Sequence, residues 1–169
     1  GRERTERFVT SARRLGTTEN SLLQALWGIF LGKLTRRADV VFGATVSGRA
    51  DGIPRVEEIV GLLINTVPVR VAWQETTTFQ ELVERLRVQS AEGMERLSVS
   101  LADIQSASGT AGAVVQHTVV FENYPSSGEA ETLWKMDTVE VHDPMHFEFG
   151  LLVVPKRDGW ICRVVADHT

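Results

Sequence analysis

A proline inside a β-rich run constrains this chain more than any other feature. Leu62–Val71, LLINTVPVRV, reads as a strand, and Pro68 stands within it. Proline has no N–H to give to a neighbouring strand, so Pro68 places this strand at a sheet edge or at a bulge. The preceding stretch supplies a partner. Val40–Ser47, VVFGATVS, is a second β-rich run after the turn residues Arg37–Asp39, and residues 48–60 between the two form a loop broken by Gly48, Gly52 and Pro54. Residues 17–36 read as a helix. Leu22, Leu23, Leu26, Ile29, Phe30 and Leu34 recur at helical spacing, with Thr17, Thr18 and Asn20 as candidate caps.

The rest alternates in the same way. Thr78-Phe-Gln-Glu81 is a capping box that opens a helix running to about Arg96, with Phe79, Leu82, Val83, Leu86 and Ser90 on one face. A short helical piece at Leu101–Ser106 and a loop at Gly109–Gly112 follow. Strands are expected at Val114–Phe121, Thr138–Val141, Phe147–Val154 and Trp160–Ala166, with a flexible turn at Pro125–Ala130. Lys156–Gly159 is a hairpin signal between the last two strands. The pattern is an α/β sandwich, a mixed β-sheet flanked by helices.

Size and charge narrow the function. At 169 residues, 43% hydrophobic and 24% charged, the chain fits one soluble domain able to bury a core. A net charge of −4 with both signs mixed excludes the basic field of a nucleic-acid surface. Arg2, Arg4, Arg7, Arg13 and Arg14 alternate with Glu3 and Glu6, which reads as a solvated face. Cys162 is the only cysteine, so no internal disulfide forms, in keeping with a reducing cytoplasm. No apolar run is long enough to span a bilayer, and the N-terminus is not a secretory signal. Neither a glycine-rich phosphate cradle nor a GxSxG elbow is present. His142 and His146 are four apart, but VEVHDPMHFEF reads as strand–turn–strand and would not hold them on one face, so no metal site is expected. His117, in an apolar strand, reads as a hydrogen-bonded core or edge histidine.

Several motifs together resemble one family. DVVFGATVSGR at Asp39–Arg49, EEIVGLLINTVPVRV at Glu57–Val71, LADIQ at Leu101–Gln105 and VFENYP at Val120–Pro125 stand in the order and spacing of the C-terminal half of a condensation domain of nonribosomal peptide synthetases. The helix of Asn20–Leu34 resembles that half's first helix, and the likeness runs from about Thr10 onward. Two departures stand out. Arg96 and Ser100 occupy the places of the His and Pro of the sixth core motif, and Val115 and Gln116 stand where a Phe–Asp pair commonly precedes VFENYP.

The resemblance implies a chloramphenicol-acetyltransferase-like sandwich lobe over 1–169, incomplete because the N-terminal lobe and a closing helix are not in the chain. Family members join an acyl or peptidyl thioester on one carrier protein to an amine on another. That reaction needs both carriers held at bonding distance, a base or positioning hydrogen bond at the amine, and stabilisation of the oxyanion. The family's HHxxxDG signature lies in the N-terminal half. None of His117, His142, His146 or His168 is paired with another His or followed by xxxDG, so the chain alone is expected to lack a catalytic residue. What it would contribute is tunnel wall and carrier-docking surface. The implied tunnel residues are Ser47, Arg49, Asn65, Thr66, Glu122, Asn123 and Tyr124. For Asn65 and Thr66 a structural reading stays open, bonding of neighbouring backbone at a bulge near Pro68. For Glu122, Asn123 and Tyr124 so does capping of a strand. Arg49 suits a clamp better than an acid, because a guanidinium keeps its proton. No cofactor is expected on the chain itself. Substrates would arrive on the phosphopantetheine arms of donor and acceptor peptidyl carrier proteins, with an N-terminal lobe and an adenylation domain as further partners. The alternative is a catalytically inactive condensation-like domain that recruits a tailoring enzyme. Epimerisation and heterocyclisation relatives differ from INTVPVR in the fifth motif and fit less well.

Overall fold

The computed structural model describes residues 1–47, 54–61, 63–122, 147–156 and 158–166. Arg49, Asn123, Tyr124, His142, His146, His168, the turn at Pro125–Ala130 and the strand expected at Thr138–Val141 lie outside the described residues. The described elements run α1 (Arg2–Arg14), α2 (Glu19–Thr35), β1 (Asp39–Ser47), a 3₁₀ turn (Val56–Glu58), β2 (Ile64–Ala72), α3 (Phe79–Met94), α4 (Leu101–Ala107), β3 (His117–Phe121), β4 (Phe149–Lys156) and β5 (Gly159–Ala166).

Five strands form one mixed sheet in the order β2-β1-β3-β4-β5. The β1–β2 and β4–β5 pairs are antiparallel, and β3 lies parallel to both β1 and β4. Pro68 is on an edge strand, as its missing donor requires. The alternative of a bulge is not used, because pairing runs one to one from Asp39↔Ala72 to Ser47↔Ile64.

One face of the sheet carries Phe42, Ala44, Val69, Val71, Val119, Leu151 and Val153, all in the buried core with Leu22, Ala25, Leu31, Leu82, Val83 and Leu86 of the helices. The capping box is present: Thr78 accepts from the Glu81 N–H, and the Glu81 carboxylate accepts from the Thr78 N–H at 2.8 Å. Thr18 caps α2 by accepting from the Ser21 N–H.

Three features differ from the sequence reading. The arginine-rich start is a helix. Its arginines are exposed, as expected of a solvated face, while Ala12 is buried and Phe8 meets Trp160 edge-on with ring centroids 4.8 Å apart. The buried face of α2 follows the hydrophobic spacing only in part: Leu22 is buried and Leu23 and Ile29 pack against the core, but the face is shifted. Leu22, Ala25, Trp27, Gly28, Leu31 and Gly32 are buried, whereas Leu26, Phe30 and Leu34 remain 42%, 46% and 63% exposed. Glycine is the cause. A Cβ on Gly28 would lie 2.5 Å from Val71, and one on Gly32 would lie 2.1 Å from the Trp73 ring, so the helix sits too close to β2 for any side chain at these positions. Finally, His117 is half-buried in the central strand, edge-on to Phe149, but its buried Nδ1 has no hydrogen-bond partner among the described residues. This departs from the expectation of a hydrogen-bonded histidine, because the ring packs against the Phe149 ring, which offers Nδ1 no partner.

Candidate functional site

Topology gathers the described residues of the expected site at one end of the sheet. Ser47 ends β1, Asn65 and Thr66 begin the antiparallel β2, and Glu122 follows β3. Because β3 and β4 run parallel to β1, this is the carboxyl end of three parallel strands. Ligand sites of open α/β sheets favour that end, where loops rather than ladder bonds finish the backbone.

The sheet separates these side chains into two groups. Directly paired residues share a face, so Asn65, opposite Val46, lies on the helix side with Val67 and Ala44, while Thr66 faces Thr45 on the other side, with Ser47. Thr45 carries a third hydroxyl there, which reasoning from sequence misses. Its only signal is its place two residues before Ser47.

The Asn65 side chain is fully employed. Its Nδ2 donates to the Leu97 carbonyl at 2.8 Å and the Val99 carbonyl at 3.0 Å, and its Oδ1 accepts from the Thr66 N–H at 2.8 Å. Asn65 therefore ties the edge strand to the turn between α3 and α4, and the bonds it makes are not those of a bulge at Pro68. That turn forms part of the wall of a largely apolar cavity of about 500 Å³, to which Val46, Val67, Leu86, Gly93, Leu97 and Val99 contribute. Glu122 is half-buried, and its N–H donates to the Val153 carbonyl at 2.9 Å, extending the β3–β4 pairing past the strand.

The departures from the family pattern have local explanations. Ser100 caps α4, accepting from the Asp103 N–H at 3.1 Å and donating to its carboxylate at 2.6 Å. Arg96 is exposed in the turn. Val115 is buried over Gly43, where a Cβ would come within 2.8 Å of it, and Gln116 points to solvent.

Among the described residues no group of three or more His, Cys, Asp or Glu could hold a metal, and no helix is long and apolar enough to cross a membrane. A perturbed carboxyl lies at the opposite end of β1. Two hydrogen bonds from the Arg70 guanidinium, at 2.9 and 2.6 Å, hold Asp39 below the usual carboxylate range.

Comparison with known proteins identifies the family. The family model described as Condensation domain matches residues 2–165. The chain is 36% identical to one of the plipastatin synthase proteins of Bacillus subtilis (strain 168) over 86% of its own length and 6% of that protein. It is 36% identical to surfactin synthase subunit 3 of the same organism, over 89% of the chain and 12% of that protein. It thus spans a small fraction of the curated relatives it matches. Among solved structures, holo-AB3403, a four-domain nonribosomal peptide synthetase bound to AMP and glycine, superposes with a TM-score of 0.82 at 14% identity, over 97% of this chain and 14% of that one. The first condensation domain of the CDA synthetase superposes with a TM-score of 0.69 at 21% identity, over 96% of this chain and 37% of that one. These likenesses show the fold, a mixed sheet with helices of the chloramphenicol-acetyltransferase-like α/β class. With the family model matched from the first helix to the last strand, the chain belongs to the condensation-domain family of nonribosomal peptide synthetases.

Proposed function

We propose that the chain is the C-terminal lobe of a condensation domain and works in amide bond formation between a carrier-bound aminoacyl or peptidyl thioester and a carrier-bound amine. The observation that carries this reading is the gathering of Ser47, Asn65, Thr66 and Glu122 at the carboxyl end of the parallel strands, in a chain that matches the family throughout yet covers 37% of a solved condensation domain. In this reading Ser47, Arg49, Thr66, Glu122, Asn123 and Tyr124 face the substrate tunnel. Asn65 acts through the backbone it holds. The catalytic His comes from an HHxxxDG motif on an N-terminal lobe, since this sequence has no adjacent His pair. Substrates are brought on phosphopantetheine by donor and acceptor carrier proteins, no cofactor binds the lobe itself, and an adenylation domain is the neighbour. The place of action is the cytoplasm, in keeping with a single, exposed, unpaired cysteine.

The test is reconstitution. The chain alone, and the chain co-expressed with an N-terminal lobe carrying HHxxxDG, are given loaded donor and acceptor carriers, and dipeptide is sought by mass spectrometry. Product is expected only from the pair. Turnover by the chain alone overturns the two-lobe reading. Arg96 and Gln116 favour one alternative, an inactive condensation-like domain that recruits a tailoring enzyme. No product from a stable pair, together with retention of a tailoring enzyme on it, would select that alternative.

A further inference from the structure

At the carboxyl end of the sheet β1 and β3 separate. Their described pairing stops at Ala44↔Val119, although β1 runs on to Ser47 and β3 to Phe121. The next described strand after β1 is β2, on one side, and after β3 it is β4, on the other. Adjacent parallel strands followed in opposite directions leave a crevice between their ends, which is where open α/β sheets bind ligands. Below the crevice the sheet is closed. Val115 is buried over Gly43, the Thr66 methyl lies there too, and the buried Thr118 hydroxyl donates to the Gly43 carbonyl at 3.2 Å.

Alternation decides which side chains stand at the crevice. Ala44 and Val119 belong to the helix-side core, so Thr45 on β1 and Glu122 on the line of β3 turn to the face away from the helices. The Glu122 N–H still donates to the Val153 carbonyl, so the strand geometry carries through to this residue. Thr66 joins them on that face as the direct partner of Thr45. Arg70 gives its N–H and its carbonyl to Gln89 outside the sheet, so by alternation Thr66 also turns its backbone outward. Thr45 and Thr66 are thus a non-hydrogen-bonded pair, the kind with the closer side chains. Both are half-buried, as is Glu122. Unlike Thr118, neither threonine hydroxyl makes a hydrogen bond among the described residues. Half-buried hydroxyls ordinarily find partners.

We propose that Thr45, which the tunnel set does not include, binds substrate: with Glu122 across the crevice it holds one secondary amide of the carrier-borne substrate. This rests on the reading of the chain as a condensation-domain lobe. A trans amide turns its N–H and its carbonyl to opposite sides, so it needs an acceptor on one flank and a donor on the other. The ionised Glu122 carboxylate only accepts, and the Thr45 hydroxyl can donate. Thr66 offers a second donor to the same carbonyl, which has two lone pairs. The spacing agrees. Two hydrogen bonds of about 2.9 Å and the amide's own N-to-O span of about 2.3 Å set the flanking oxygens about 8 Å apart. Continuing the register Gly43↔Thr118 sets Glu122 level with Ser47, two residues beyond Thr45. At strand spacing and rise that diagonal is also about 8 Å. Such amides have two sources, the phosphopantetheine arm and a peptidyl chain.

The test uses the chain co-expressed with an N-terminal lobe carrying HHxxxDG, an acceptor carrier, and a donor carrier loaded with either one amino acid or a dipeptide. Thr45→Val removes the hydroxyl at nearly constant shape, and Thr45→Ser keeps it. Thr45→Val should raise KM for a loaded carrier roughly 3- to 10-fold, the worth of one net hydrogen bond. Its kcat should not change, as for a contact made equally in ground and transition states. Thr45→Ser should restore the native KM. A rise with both donors assigns the amide to a carrier arm, and a rise with the dipeptide alone assigns it to the peptidyl chain. Glu122→Leu should raise KM as well, and the double variant should raise it by less than the product of the two, because both residues hold one amide. An unchanged KM in Thr45→Val overturns the proposal. So does a multiplicative double variant. A rise in KM that comes with a lower melting temperature or weaker association of the lobes overturns it too, because the hydroxyl then bonds protein. A native pair that forms no product removes the underlying reading, and this proposal with it, before any variant is compared.

Discussion

At the scale of single residues, polarity inside an apolar strand has two meanings, and the bonds separate them. Asn65 spends both N–H groups on the Leu97 and Val99 carbonyls and its oxygen on Thr66. Asn65→Ala leaves two carbonyls without a donor and should lower stability by about 1–3 kcal/mol in urea titrations. Asn65→Asp keeps the shape but sets an anion against those carbonyls, and should cost at least as much. A variant of unchanged stability would show that the turn after α3 holds itself. Asp39 gives a pH signature. Its folded-state pKa lies below its unfolded value because Arg70 bonds the charged form. The stabilisation is present above the unfolded pKa and is lost as pH falls through the folded one. Asp39→Asn should thus flatten the fall in melting temperature between about pH 5 and pH 2, a small effect because the pair is solvated. An identical acid limb in the variant would assign the loss to other carboxylates.

At the scale of elements, α2 shows what pattern reading can and cannot see. Pro68, the Thr78 capping box and the Lys156–Gly159 turn are local chemistry, and each is legible because its physics involves only neighbours in sequence. The buried face of α2 is legible only in part, at Leu22, Leu23 and Ile29. Hydrophobic spacing ranks side chains by size, whereas this helix docks through Gly28 and Gly32, which spacing counts as nothing. The helical start is hidden in the same way, because its few core contacts, Phe8 and Ala12, are outnumbered by arginines. The candidate site is legible as residue types from the family likeness, but the sheet that parts Asn65 from Thr66 exists only in three dimensions. Paired substitutions test the docking. Gly28→Ala should destabilise by about 1–3 kcal/mol through overpacking against Val71. Gly93→Ala in α3, where a Cβ meets nothing within 4 Å, should be neutral or stabilise by under about 1 kcal/mol. Equal effects at both would mean that helix propensity, not the close approach to β2, governs these glycines.

At the scale of the whole molecule, the sheet is two antiparallel pairs held apart by β3, which touches both neighbours in parallel. Each outer pair joins strands that follow one another among the described elements, while the Thr118 hydroxyl reaches the Gly43 carbonyl across 75 residues of chain. This middle position has a kinetic consequence. Closing long loops before their contacts are made is the slow step in such topologies. The β1–β2 and β4–β5 pairs should therefore assemble first, with β3 inserted last as the strand that makes one sheet of two. Val119 is buried at the centre of β3, and Val119→Ala should cost about 1 kcal/mol or more, enough for kinetic comparison. Stopped-flow measurements should find that cost almost wholly in faster unfolding, with the refolding rate nearly unchanged. If refolding slows by the full amount, β3 is instead the nucleus, and the long loop closes at the start. With β3 inserted last, the strand that sets the lifetime of the native sheet is the shortest of the described strands, buried at the centre and remote from both outer strands.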